Sequence, residues 1–191
     1  EEDAPARILL ELTAVDLNQD GTTKTFSQNL IEILNDRGIR DYDSFATHYA
    51  RGEQVVEFKK ARVHHTDGSV SDAELRRFSS PGSEQRDYAS ASVDLPPLSQ
   101  GDIVEIEFVR EDLRQSFFGD YYGHREVFQK SMQIREKAFV LRAPKGRELN
   151  FHQRNLTIER TEKVDDHSAT ITYSWTAHHL SKLEPEPGMP L

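Results

Sequence analysis

Two stretches of strict apolar and polar alternation leave this chain little choice but sheet. From Ile103 to Arg110, Val104, Ile106 and Phe108 fall on one side and Glu105 and Glu107 on the other. Near the end, Ile171, Tyr173, Trp175 and Ala177 alternate with Thr170, Thr172, Ser174 and Thr176. A strand turns successive side chains to opposite faces, so each stretch makes one buried face and one wet face. Trp175 is on the apolar side and is expected in the core.

Weaker segments continue the pattern. Ile8 to Leu17 groups Ile8, Leu10, Leu12 and Ala14 on one face, and Met132 to Arg142 groups Met132, Ile134, Ala138 and Val140. Gln54 to Val63 changes face near Lys59 and Lys60, the mark of a bulge, and Leu156 to Arg160 is a short strand. Hairpin turns are expected at Asp20-Gly21, Asp67-Gly68 and Asp165-Asp166. Ser27 to Arg37, ahead of Gly38, also suits a helix with a glycine stop. A strand is favoured because the Asp20-Gly21 turn supplies a partner. Ser79 to Arg86 and Pro96 to Gly101 read as loops. The outcome is a mainly β chain, a meander of antiparallel strands with few or short helices. Residues 1–180 form one domain, and Pro-rich residues 181–191 form a linker towards a further domain.

Composition narrows the function classes. The 191 residues carry 33 acids and 24 bases, a net charge of -9 that repels phosphate backbones, so nucleic acid is a poor partner. No apolar run approaches the roughly 18 residues that span a bilayer. The chain has no cysteine, which excludes disulfides and thiolate chemistry within it. With 30% charged and 36% hydrophobic residues, a thin core under a charged exterior is expected. The Glu-Glu-Asp start reads as a processed mature protein or a trimmed chain.

Several segments together resemble a known family. They are "ARILLELTAVDLNQDGTTKTFSQNLIEILNDRG", "FKKARVHHTDGSV", "LPPLSQGDIVEIEF", "VLRAPKG" and the tail "WTAHHLSKLEPEPGMP". In this order and spacing they resemble the bacterial domain of unknown function 3857, which precedes transglutaminase-like domains in exported proteins. One departure is "EVFQKSMQIREKAF", where similar domains often carry proline. The resemblance implies a two-sheet antiparallel β-sandwich of immunoglobulin-like character, export to the periplasm or exterior, and a downstream cysteine-histidine-aspartate domain. It supplies no activity.

Candidate sites are few. Asp16 to Gly21 opens like a calcium loop, but Ser27 stands where a bidentate glutamate is required, so a hairpin is expected. His64-His65 and His178-His179 cannot chelate as adjacent pairs, because strand neighbours point apart, and are expected at the surface. His167 follows Asp165 and Asp166 without a nucleophile elbow. No catalytic residue, metal site or cofactor is therefore assigned.

The remaining candidate is Phe117, Phe118, Tyr121 and Tyr122, flanked by Gly119 and Gly123. These rings could bind a peptide, a sugar or a neighbouring domain, or bury themselves to cap the fold; capping takes precedence because aromatics dominate core energetics. The expected function is a non-catalytic accessory or interaction domain that positions or presents substrate to a transglutaminase-like neighbour. A peptide or protein ligand is the expected partner, and a carbohydrate- or cell-wall-binding module is the alternative.

Overall fold

The computed structural model describes residues 4–81, 87–154 and 158–183. In chain order the elements are β1 (Ala6–Leu17), β2 (Thr23–Ile33), α1 (Asp36–Asp41), β3 (Ser44–Ala50), β4 (Gln54–His64), β5 (Val70–Asp72), β6 (Arg77–Phe78), β7 (Tyr88–Asp94), β8 (Ile103–Asp112), β9 (Ile134–Pro144), β10 (Arg160–Asp165) and β11 (Thr170–Leu180). Nine strands make one sheet in the order β10-β11-β9-β1-β2-β8-β4-β5, with β6 also on β4, while β3 and β7 pair as a separate ribbon.

This sheet is mixed rather than an antiparallel meander. β1 and β9 run parallel, with Ile8 beside Ile134 and Val15 beside Leu141, and the other ladders are antiparallel. A parallel neighbour requires a long crossover, and here it takes the whole chain between the two strands.

Register fixes the buried face. Ile33, Ile31 and Ala6 of β2 and β1 line up with Val104, Ile106 and Phe108 of β8 and with Val63, Ala61 and Phe58 of β4. The β3–β7 ribbon lies over this half, adding Tyr49, Ala89, Ala91 and Val93 to the same cluster. On the other half, Val15, Leu17, Phe139, Leu141, Tyr173 and Trp175 form a second cluster. There the cover is irregular chain: Tyr122 and Phe128 from one crossing segment, Leu149 and Phe151 from another. A ribbon over one half and loops over the other take the place of a second sheet of comparable size.

The turns at Gly21 and Gly68 form, both with positive φ, and the shift at Phe58/Lys60 is the expected bulge. The strand over Ser27 holds, while Gly38 sits inside α1, which Asn35 caps by accepting from the Arg37 and Gly38 amides. The short strand near the C-terminus lies at Arg160–Asp165 instead of Leu156–Arg160; residues 155–157, like 184–191 of the Pro-rich tail and the 82–86 part of the expected loop, lie outside the described residues.

Two expected faces are inverted. The pairing of β1 with β2 slips between Ile8 and Leu10, so beyond Ile8 the core side carries Glu11, Val15 and Leu17. Likewise β9 buries Lys137, Phe139, Leu141 and Ala143. Leu10, Leu12, Ala14, Ala138 and Val140 stand half-buried on the opposite, open face of the sheet, beside Phe26, Leu30 and Val109.

Candidate functional site

The four aromatic candidates are split. Phe117 is 98% exposed, Phe118 71% and Tyr121 69%, so these three do not cap the core, whereas Tyr122 is half-buried against the Trp175 cluster. The reason is the anchoring of the segment. Arg147 donates to the carbonyls of Gln19 (3.0 Å) and Asp120, and Gln115 donates to the Asp20 carbonyl at 2.8 Å. Gly21, at φ +85°, lets the Asp120 backbone come so close that a Cβ would stand 2.6 Å from it. The base of the loop is thus clamped to the β1–β2 turn and the three rings project beyond it. Phe117 and Phe118 meet edge to face, 81° between planes.

Behind the rings is a buried ionic cluster that the alternation pattern hid. Lys137, 1% exposed, donates to Glu11, to Glu126 at 2.7 Å and to the Val127 carbonyl at 2.8 Å. Lys130 reaches the other Glu11 oxygen at 2.6 Å, and His124 reaches Glu126 at 3.0 Å. The His124 ring stacks on Phe139 with centroids 4.6 Å apart. Burial alone would raise the Glu126 carboxyl, but hydrogen bonds from His124 and Lys137 outweigh it and hold it below the usual range. Burial, reinforced by the Glu126 charge, pushes the Tyr122 phenol up to about 12, and its hydroxyl has no hydrogen-bond partner among the described residues. The cluster ties the segment between β8 and β9 to the floor of the sheet. Its one legible trace was a lysine and a glutamate breaking the apolar rhythm of β9 and β1.

The histidine pairs separate as strand geometry requires. His178 and His179 are exposed. His64 meets Glu105 at 2.7 Å on the open face, where Lys60 also bridges Glu105 and Glu107. His65 is less exposed than expected. It contacts buried Asp102 at 2.9 Å and the Ser71 hydroxyl at 3.0 Å, and Asp102 also accepts the Ser99 amide at 2.8 Å. Serine, histidine and aspartate in this order can activate a hydroxyl nucleophile. Here Ser71 sits on the three-residue β5, and the relay pins the Asp67-Gly68 hairpin to the turn before β8. Two cavities, one lined by Arg7, Leu9 and Arg135 and the other by Arg142, Lys163 and Thr172, border neither Ser71 nor the aromatic loop. Asp20 accepts from Thr22, the next turn residue but one, as a hairpin aspartate should. Among the described residues no three His, Cys, Asp or Glu side chains gather as a metal site, and no helix is long and apolar enough to cross a membrane.

A mainly β domain built on one large mixed sheet, with a clamped aromatic loop at one end, is the class this geometry defines. The family described as "Domain of Unknown Function with solved-structure structure (DUF3857)" matches residues 19–184, and the chain belongs to it. The chain matches no curated protein. Among solved structures it is similar to a "putative protease" from Parabacteroides distasonis, with TM-score 0.80 and 15% identity over 97% of this chain. At that identity the likeness is one of fold. The chain spans 38% of that protein's length.

Proposed function

We propose that this domain is a non-catalytic accessory module of a larger exported bacterial protein, periplasmic or secreted, that positions or presents substrate to a transglutaminase-like neighbour. Finer than the mixed sheet itself, the ribbon-on-sheet packing is read as a sandwich of immunoglobulin-like character.

The observation that carries the functional reading is the exposure of Phe117, Phe118 and Tyr121 on a base fixed by Arg147 and Gly21. Exposed rings carried on a loop anchored at its base suit an interface anchor. The half-buried aliphatic stripe of Leu10, Leu12, Leu30 and Val140 on the open face offers a second apolar surface of the same domain. The similar "putative protease" continues well beyond the matched region, which leaves room for a neighbour to dock. A sugar-binding role draws no support from the rings, since planes 81° apart give a pyranose no common platform.

The test is hydrogen exchange on the isolated domain and on a longer polypeptide carrying the next domain. Protection of amides 115–123 in the longer chain, lost on Phe117→Ser with Phe118→Ser, is the expected result. Equal exchange in both would sink the proposal.

A further inference from the structure

On the open side of the sheet, three neighbouring strands break their regularity at the same rank. Leu9 is the extra residue of the β1 bulge. The β1–β9 ladder passes from Ile8–Ile134 to Glu11–Lys137, and the β9–β11 ladder from Glu136–His178 to Leu180–Ile134, leaving Arg135 and His179 unpaired in the ladder. His179 has φ +53°, a conformation that costs a non-glycine residue energy and persists where its surroundings impose it. Bulges re-aim side chains. Here the β1 bulge re-aims Leu9, and the unpaired stretch of β9 and β11 beside it leaves Arg135 and His179 on the same half-open crease of about 490 Å³, which Arg7, Glu32, Ile103 and Gln133 also line.

The lining is cationic in a chain of net charge -9. Arg7 is offset by Glu32, which accepts from its Nε at 2.9 Å and its terminal nitrogen at 2.5 Å. Arg135 has no hydrogen bond or ion pair among the described residues, nor does His179. The balance at neutral pH is therefore a single uncompensated guanidinium, assisted by an imidazole and the Gln133 amide. A guanidinium forks onto carboxylate and phosphate alike, but one positive charge balances a singly charged carboxylate, and only a carboxylate borne on a side-chain-carrying residue also uses the apolar groups beside it. Leu9 and Ile103 supply an apolar wall beside it.

We infer that this crease binds the free α-carboxylate of a peptide whose last residue is aliphatic. Arg135 holds the carboxylate, and Leu9 and Ile103 receive the side chain. The residues before it lie along the aliphatic stripe of the open face. The inference deepens the interaction-module reading by naming a partner class, but it uses a different surface from the aromatic loop.

The experiment is an NMR titration of the domain with acetyl-Ala-Leu-Leu bearing a free carboxylate, with its C-terminal amide, and with inorganic phosphate. Shifts at Arg135 and His179 with the acid, at least tenfold weaker binding of the amide, and at least tenfold weaker binding of the acid to Arg135→Gln are expected. Arg135 is exposed, so this variant should melt like the parent. Equal binding of acid and amide, no shifts at all, or phosphate binding as tightly as the acid would each overturn the inference. A Phe117→Ser/Phe118→Ser variant should bind the acid normally, so failure of the aromatic-anchor reading and failure of this one remain distinct.

Discussion

Replacing Lys137 by methionine should destabilise the domain more than almost any other single change. The ammonium is 1% exposed and serves two carboxylates, Glu11 and Glu126. Glu11 keeps Lys130 after the substitution, but Glu126 keeps only His124. Removing one partner of a buried ion pair leaves an uncompensated charge and costs about 3–5 kcal/mol. For a domain of this size, at about 2–4 °C per kcal/mol, the melting temperature should fall by roughly 6–20 °C. The penalty should also depend on pH. In the parent, Glu126 is held below its usual range, so its share of stability is present above the ordinary glutamate pKa of about 4.3 and is lost as pH falls through the lower folded value. Without Lys137, burial dominates and the carboxyl titrates higher, so the variant loses less on acidification. Urea unfolding at pH 7 and at pH 3.5 should show the gap between parent and variant narrowing at the lower pH. A gap below about 1 kcal/mol at pH 7, or one unchanged by pH, would refute the view that buried Lys137 and its two carboxylates compensate one another.

Gly21→Ala combines a positive φ with a Cβ 2.6 Å from the Asp120 backbone, so thermal melts should show a loss above about 1 kcal/mol, with faster hydrogen exchange across residues 115–123. Trp175→Ala, which empties the contact with Phe139 and Phe151, should cost about 3–5 kcal/mol in urea. Phe117→Ser, at a ring that touches little but Phe118, should change stability by less than about 0.5 kcal/mol in the same assay.

How much of this was legible follows from where apolarity and burial coincide. In β8 and β11 they do, and Val104, Ile106, Phe108, Tyr173 and Trp175 are buried as their alternation requires. In β1 and β9 they do not. A bulge after Ile8 turns the face, and the buried side then carries Glu11 and Lys137, whose partnership across the parallel ladder no local pattern announces. β3 and β7 carry too weak a sequence signal to stand out, although β7 alternates cleanly. Its inward residues are Ala89, Ala91 and Val93, which carry little hydrophobic weight individually. The aromatic loop was visible as composition, but its exposure depends on Arg147 and Gly21 reaching it from distant parts of the chain. The crease of Leu9, Arg135 and His179 exists only once three strands are side by side.

The central position of β1 has a consequence for biosynthesis. One flank is taken by β2 immediately, but the other waits for β9, whose residues are made more than a hundred positions later. At about 5–20 residues per second, the ribosome needs roughly 6–25 s to get from Leu17 to Pro144. Throughout that interval β1 presents a bare hydrogen-bonding margin to any other nascent chain, the condition under which strands mispair. A circular permutant that starts at β9 and joins the old termini would bring β1 and β9 close in sequence, and it should refold faster for that reason.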